Sequence, residues 1–279
     1  MPRVSDKKSF MNALPHYRCP LCQQLLSYQK GVLRCVNNHC FDIAKENYVN
    51  LLPVQLKHSK QPGDNKAMVN ARRSFLSQGY YQPLRDRLVE IYQHYAPNNA
   101  IVFDAGCGEG YYTGQHVTLN NQVYGIDIAK EAIKKAAKKY PSCHFSVATL
   151  SHLPFEDNFI DWIVSIYAPI LEVELSRVLK LQGFLITVTP AEQHLIELKT
   201  EIYQQANKHD IDKTAIEQLT LVHQEQLSYS MTLNSGEDIL NLLSMTPFAF
   251  KATEQIKNKL SNTQKFNCQA DFLIRLYQK

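Results

Sequence analysis

The spacing of apolar and polar positions changes character along the chain. From Ala67 the stretch MVNARRSFLSQG follows a helical period, and a second helical stretch runs from Pro83 to about Tyr95. Beyond it, Ala100–Ala105, Gln122–Asp127, His144–Ala148, Phe159–Ile166 and Phe184–Thr189 are short apolar runs that read as strands. Between them Lys130–Tyr140 reads as a helix, with Ile133, Ala136, Ala137 and Tyr140 on one face and Lys134, Lys135, Lys138 and Lys139 off it. Glu172–Lys180 reads as another. This alternation over residues 100–190 predicts βαβ units and a mostly parallel sheet. Helices around 192–208 and 236–244, with strands near 219–233 and 265–277, complete an α/β domain spanning 67–279. Ahead of it, residues 51–66 read as a linker, because Pro53, Pro62, Gly63 and Asp64 break any helix. Residues 17–50 are short, turn-rich pieces, and residues 1–16 form an extension with no sustained period.

Composition narrows the class. The 279 residues are 44% hydrophobic and 20% charged, which excludes a disordered, collagenous or coiled-coil chain. No run approaches the roughly 18 apolar residues of a membrane span. The start, MPRVSDKKSF, has no apolar core behind it, so no signal peptide is expected. The expectation is a soluble, cytoplasmic protein. The net charge of +4 is unevenly spread: residues 1–90 carry 14 Lys/Arg against 6 Asp/Glu, and the remainder 16 against 20. A basic third suggests contact with a polyanion; clustering on solvated surfaces is the alternative.

Cysteine placement adds a metal site. Four of the seven cysteines lie within residues 19–40. Cys19-Pro-Leu-Cys22 lets two thiolates grip one ion from a single turn, and a second pair from Cys35 and either His39 or Cys40 closes a tetrahedron suited to Zn²⁺. Arg18, Lys30 and Arg34 nearby favour thiolates. Four protein ligands leave no position for substrate, so the zinc is expected to be structural. A fold of this size needs such a staple.

The loop after the strand ending at Asp104 points to a cofactor. Its glycines fall at Gly106, Gly108 and Gly110. A dinucleotide fingerprint wants a third glycine at 111, which is Tyr111, and no Gly-Lys-Ser/Thr follows for a triphosphate. Asp127 ends the next strand, where a carboxylate accepts both hydroxyls of a ribose. A ribose without a pyrophosphate is the pattern of S-adenosylmethionine. Leu153-Pro-Phe-Glu-Asp157 and Arg177-Val-Leu-Lys-Leu-Gln-Gly183 resemble segments of class I methyltransferases, the latter departing at Leu181 and Gln182. Val147-Ala-Thr149 lacks the acid that often reads adenine there, so main chain or Thr149 must serve.

Read together, further segments resemble one family. Cys19–Cys22, Phe41–Gln55, Pro62-Gly-Asp64, Ala71-Arg-Arg73, Tyr81-Gln-Pro-Leu84, Gly106–Tyr112, Ile166-Tyr-Ala-Pro169, His194–Lys199 and Met245-Thr-Pro-Phe248 are similar to the large-subunit (23S) ribosomal RNA guanine-N1 methyltransferases. The resemblance implies a class I S-adenosylmethionine-dependent fold with a seven-stranded Rossmann-like sheet and a small N-terminal zinc-ribbon-like domain. It implies methyl transfer to a guanine in a 23S rRNA hairpin loop, by a homodimer. It maps zinc onto Cys19, Cys22, Cys35 and His39, leaving Cys40 a bystander, and cofactor contacts onto Tyr81, Gly108, Glu109 and His194. The sequence looks closer to the branch acting at guanine 745 than to that acting at guanine 748.

Three roles remain as expectations. Tyr167, at a strand end, is a candidate to stack on a flipped guanine, or else a packing tyrosine. His194 faces the cofactor or serves as base. Arg72 and Arg73, with Lys57, Lys60 and Lys66, are candidates for phosphate contacts, or else a solvated helix face. The competing classes are a small-molecule methyltransferase, which the basic zinc module disfavours, and an RNA-binding factor with a degenerate cofactor site, which the intact Asp104, Gly106, Gly108, Gly110 and Asp127 disfavour.

Overall fold

The structure, a computed structural model, describes residues 16–56, 63–203, 208–209 and 216–279. Residues 1–15 of the extension, Lys57 and Lys60 of the linker, and 204–207 of the helix expected over 192–208 lie outside the described residues.

The chain begins with three short strands, β1 (Ser27–Gln29), β2 (Val32–Arg34) and β3 (Cys40–Asp42), paired as an antiparallel sheet. A fourth, β4 (Tyr48–Asn50), leaves this unit and pairs in parallel with a strand of the large domain. Helices α1 (Lys66–Ser77) and α2 (Gln82–Tyr95) follow. Asn65 caps α1 by accepting from the backbone N–H of Ala67 and Met68, and Pro83 sits in the first turn of α2. Next come β5 (Ile101–Ala105), β6 (Gln122–Asp127), α3 (Lys130–Lys139), β7 (His144–Val147), β8 (Ile160–Ile166), α4 (Glu172–Val178), β9 (Leu179–Pro190) and α5 (Ile196–Ile202). The chain ends with β10 (Thr220–Leu233), α6 (Gly236–Ser244), a short 3-10 turn at Pro247–Phe250, α7 (Glu254–Ser261) and β11 (Phe266–Gln278).

The large sheet runs β10-β11-β9-β8-β5-β6-β7-β4. Pairs from β9 to β4 are parallel, and β11 is antiparallel to both neighbours. It therefore has eight strands, not the seven expected. The extra one is β4, whose Val49 is fully buried, and Leu51 just beyond it donates its N–H to Val147 O at 2.8 Å. The first residues of the expected linker are thus core. A second departure concerns the helix expected over Glu172–Lys180, which ends at Val178. Leu179 already pairs with Ile160, and the register shifts before Trp162 meets Phe184, so β9 starts before the expected Phe184 and carries an irregularity.

Side chains alternate across the central strands and feed two cores. Val102 joins Phe75, Leu84, Ile91, Trp162 and Leu242 on one face, whereas Phe103 joins Tyr124, Phe155 and Ile163 on the other. That second core continues into the small unit through Tyr17, Leu26 and Leu33. Tyr17 is fully buried, stacked on Phe155 at 5.7 Å and edge-on to Tyr124 at 5.8 Å. Arg18 N–H reaches Pro154 O. The small unit is a layer of the same molecule. Among the described residues no helix is long and apolar enough to cross a membrane.

Candidate active site and metal centre

Two tight turns assemble the metal centre. In the first, Gln23 N–H returns to Cys19 O, and in the second Asn38 N–H returns to Cys35 O, both tightly enough to aim their side chains inward. Gln23 and Asn38 both take left-handed conformations there. The donor atoms of Cys19, Cys22, Cys35 and His39 all lie within 4.8 Å of one another. Cys22 Sγ and Cys35 Sγ are 3.6 Å apart, and His39 Nδ1 is 3.4 Å from Cys19 Sγ and 3.5 Å from Cys35 Sγ. Bond lengths of about 2.3 Å to sulfur and about 2.0 Å to nitrogen give tetrahedral edges of roughly 3.8 and 3.5 Å. The spacings match such a tetrahedron, so the residues fit zinc. Cys40 is exposed and turned to Arg34, outside the group.

The second centre is a cavity of about 710 Å³ at the carboxyl ends of β5, β6 and β8. It brings together Tyr81, Asp104, Gly106, Gly108, Glu109, Asp127, Thr149, Tyr167 and His194, which the sequence spreads over more than a hundred positions. Gly106 has φ +75°, and a Cβ there would lie 2.7 Å from Ala168 Cβ, so only glycine fits. Gly108 has φ +54° and would meet nothing within 4 Å, which leaves the open space a ligand needs beside the backbone. Asp127 fixes this loop. One of its carboxylate oxygens accepts from Gly108 N–H at 2.9 Å and the other from Ala129 N–H at 2.7 Å. Each oxygen keeps a further lone pair for a ribose hydroxyl. Volume, open backbone and strand-end carboxylate together fit S-adenosylmethionine.

Burial sets the electrostatics. Asp104 is nearly inaccessible, and burial pushes its carboxyl up to about 7; the Thr113 hydroxyl, donating at 2.5 Å, opposes this and the neighbouring Asp127 charge adds to it. Burial also raises Asp127 and Glu109. Lys139 and Arg73, 3.9 and 3.6 Å from Glu109, work against the latter shift. Burial, with His209 nearby, holds His194 down to about 3, so its ring is neutral near pH 7.

His194 has a fixed tautomer. Asp271 N–H donates to Nδ1 at 3.2 Å, which requires a lone pair there and places the proton on Nε2. Nε2 lies 3.1 Å from the Tyr167 hydroxyl and 3.4 Å from that of Tyr81. With one nitrogen engaged and the other protonated, His194 is a donor in this arrangement and not a base. Tyr167 takes φ +56° just past the end of β8, uncommon for a bulky residue, and the residue is 47% exposed. It stands at the cavity, not in a packed core.

The structure places Arg72 and Arg73 on α1 near the cofactor cavity. Arg72 lines the cavity, ion-paired with Asp64 and donating to Met245 O at 3.5 Å, while Arg73 turns to Glu109. Arg72 is engaged at the cofactor side, whereas the Arg73 side chain is half-exposed. Lys66 is exposed. Asp271, Thr113 and His209 also act at the site, with no role expected for them from the sequence. Asp271 had a signal, a carboxylate within the apolar run Ala270–Ile274, and it is fully buried, accepting from Gln193 N–H and Gln226.

The comparisons follow the same division. A zinc-ribbon family model described as RlmA, N-terminal, matches residues 17–60, and a methyltransferase-domain model matches residues 102–183. A 23S rRNA (guanine(748)-N(1))-methyltransferase of Streptomyces fradiae is 34% identical over 67% of this chain and 68% of its own. YxjB of Bacillus subtilis (strain 168), provisionally named a 23S rRNA (guanine-N(1)-)-methyltransferase, is 30% identical over 94% of this chain and 97% of its own. The chain belongs to the 23S rRNA guanine-N1-methyltransferase family. It is an S-adenosylmethionine-dependent methyltransferase with a class I fold and an N-terminal zinc ribbon. Family membership explains why ribbon and cofactor cavity occur in one chain, since the match to YxjB runs through both.

Proposed function

We propose that this enzyme methylates N1 of a guanine in a hairpin loop of 23S rRNA, at position 745. The observation that carries the reading is the near full-length relationship to YxjB, which spans ribbon and cavity alike. The likeness of the sequence segments to the 745 branch supports the position. A second position, 748, is favoured by the 34% identity to the Streptomyces fradiae enzyme. The reading includes a cytoplasmic homodimer, with a solution mass twice the 32.0 kDa of the chain.

Bound S-adenosylmethionine supplies a methyl group on an electrophilic sulfonium. Guanine N1 would accept that methyl group and release its own proton to solvent. The chain's own residues have the task of alignment. Asp127 and the Gly106–Gly108 backbone would hold the ribose end, with Asp104 and Glu109 lining the same cavity. Tyr167 stands at the cavity to receive the base. Cys19, Cys22, Cys35 and His39 hold the zinc that orders the ribbon, and the ribbon and the methyltransferase domain together form the RNA groove.

Labelled S-adenosylmethionine with unmodified 23S rRNA, followed by primer extension, tests the reading. N1 methylation blocks the Watson–Crick edge, so one new stop at 745 is expected. A stop at 748 would select the second position. No RNA label with cofactor binding intact would refute an RNA substrate.

A further inference from the structure

The chain of hydrogen bonds behind Tyr167 determines which way its hydroxyl proton points. Asp271 N–H occupies Nδ1 of His194, so Nε2 carries the ring proton and donates it to the Tyr167 oxygen at 3.1 Å. The contact from Nε2 to Tyr81, at 3.4 Å, is the weaker branch. With one lone pair of its oxygen engaged by His194, Tyr167 has its own O–H left to give. The residue is half-exposed and lines the cavity, and its φ of +56° holds it at the end of β8. The Asp271 carboxylate anchors this arrangement from below, accepting from Gln193 N–H at 2.9 Å and from Gln226 Nε2 at 2.6 Å. Backbone and carboxylate of one buried residue thus set both the ring and the segment that carries it.

Resting on the guanine-N1 reading, we propose that the Tyr167 hydroxyl is a specificity determinant, donating a hydrogen bond to O6 of the target guanine. Guanine presents an acceptor at that edge and adenine an amino donor. A hydroxyl aimed as a donor bonds to the first and meets no acceptor on the second. The same bond serves the reaction, because loss of the N1 proton moves negative charge onto O6, next to the donor. His194 acts through Tyr167 as its positioning residue, and Asp271 sets the tautomer. Stacking by the ring needs none of this, and the two roles are separable because Phe keeps the ring and removes the donor.

The test uses full-length zinc-loaded enzyme and a 23S rRNA hairpin carrying guanosine, 6-thioguanosine or inosine at the target position. Sulfur is a poor acceptor at position 6, whereas inosine keeps O6 and lacks only the 2-amino group. Tyr167→Phe is expected to lower kcat/KM on guanosine and inosine by about 10–100-fold, the size of one hydrogen bond to a polar group left unpaired. The same substitution is expected to change the 6-thioguanosine rate little, so that the guanosine preference of wild type collapses. Cofactor affinity, measured by calorimetry, stays unchanged in the variant and serves as the folding control. Equal losses on all three substrates, or no loss on guanosine, would overturn the inference while leaving the N1 reading intact. No methylation of the guanosine hairpin by wild type would overturn the N1 reading, and the inference with it.

Discussion

Asp104 carries the clearest pH consequence of any single residue. Its carboxyl, at 3.8 when unperturbed, is pushed up to about 7 by burial, so the folded chain holds that proton more tightly than the unfolded one. The associated stability is complete below about pH 4 and is lost as pH rises through about 7, at no more than about 1.4 kcal/mol per pH unit. Urea denaturation of the cofactor-free protein should therefore show a midpoint that falls between pH 5 and pH 8. Asp104→Asn, which can still accept from Thr113, should flatten that fall and raise the midpoint at pH 8. An unaltered pH profile in the variant would assign the slope to other groups. The residue was legible in the sequence as a strand-end acid, but its protonation was not. That depends on how completely neighbouring chain excludes water, and Thr113 and Asp127 reach it only through the fold.

At the scale of elements, the ribbon is joined to the sheet twice. Tyr17 packs on Phe155 and Tyr124, and β4 adds a parallel strand beside β7. Zinc removal should consequently be felt beyond the ribbon. Chelation at pH 7 is expected to lower the thermal midpoint of the whole protein by roughly 5–10 °C, the effect of losing a few kcal/mol in a chain of this size. The near-UV signal of buried tyrosine should change with it. His39→Ala should reproduce the loss of zinc, whereas Cys40→Ala should keep one zinc per chain by metal analysis. Retention of zinc by the first variant and loss by the second would exchange their roles. The Cys-x-x-Cys spacing made the metal centre legible, because two ligands on one turn need no tertiary information. The docking of the ribbon was not, since Tyr17 looks like any aromatic in a turn-rich segment. Nor was β4, a three-residue strand too short to show a period.

For the molecule as a whole, charge is unevenly distributed, with the excess of Lys and Arg confined to residues 1–90. RNA affinity should fall about tenfold or more between low and physiological salt, as expected when several phosphates are neutralised. Arg72 and Arg73 are not expected to carry that dependence. They bind Asp64, Met245 O and Glu109 beside the cofactor cavity, so the double Arg72/Arg73→Ala variant should weaken S-adenosylmethionine binding and leave the salt slope of RNA binding unchanged. Filter binding over a salt series, alongside calorimetry, distinguishes the two. A reduced salt slope would return these arginines to the RNA surface.

Whatever is local in the chain follows from residue order alone. Periodicity marked the alternating strands and helices. Glycine spacing marked a loop that meets a ligand through its backbone, and cysteine spacing marked a metal knuckle. These signals depend on neighbours within a few residues, where backbone geometry already restricts the outcome. Tertiary structure decided what depends on residues far apart in sequence. It turned Arg72 inward, buried Asp104, added β4 to the sheet, and set the tautomer of His194 through a backbone amide 77 positions away. A proton's position on an imidazole follows from which group faces each nitrogen, and only the folded chain brings those groups together.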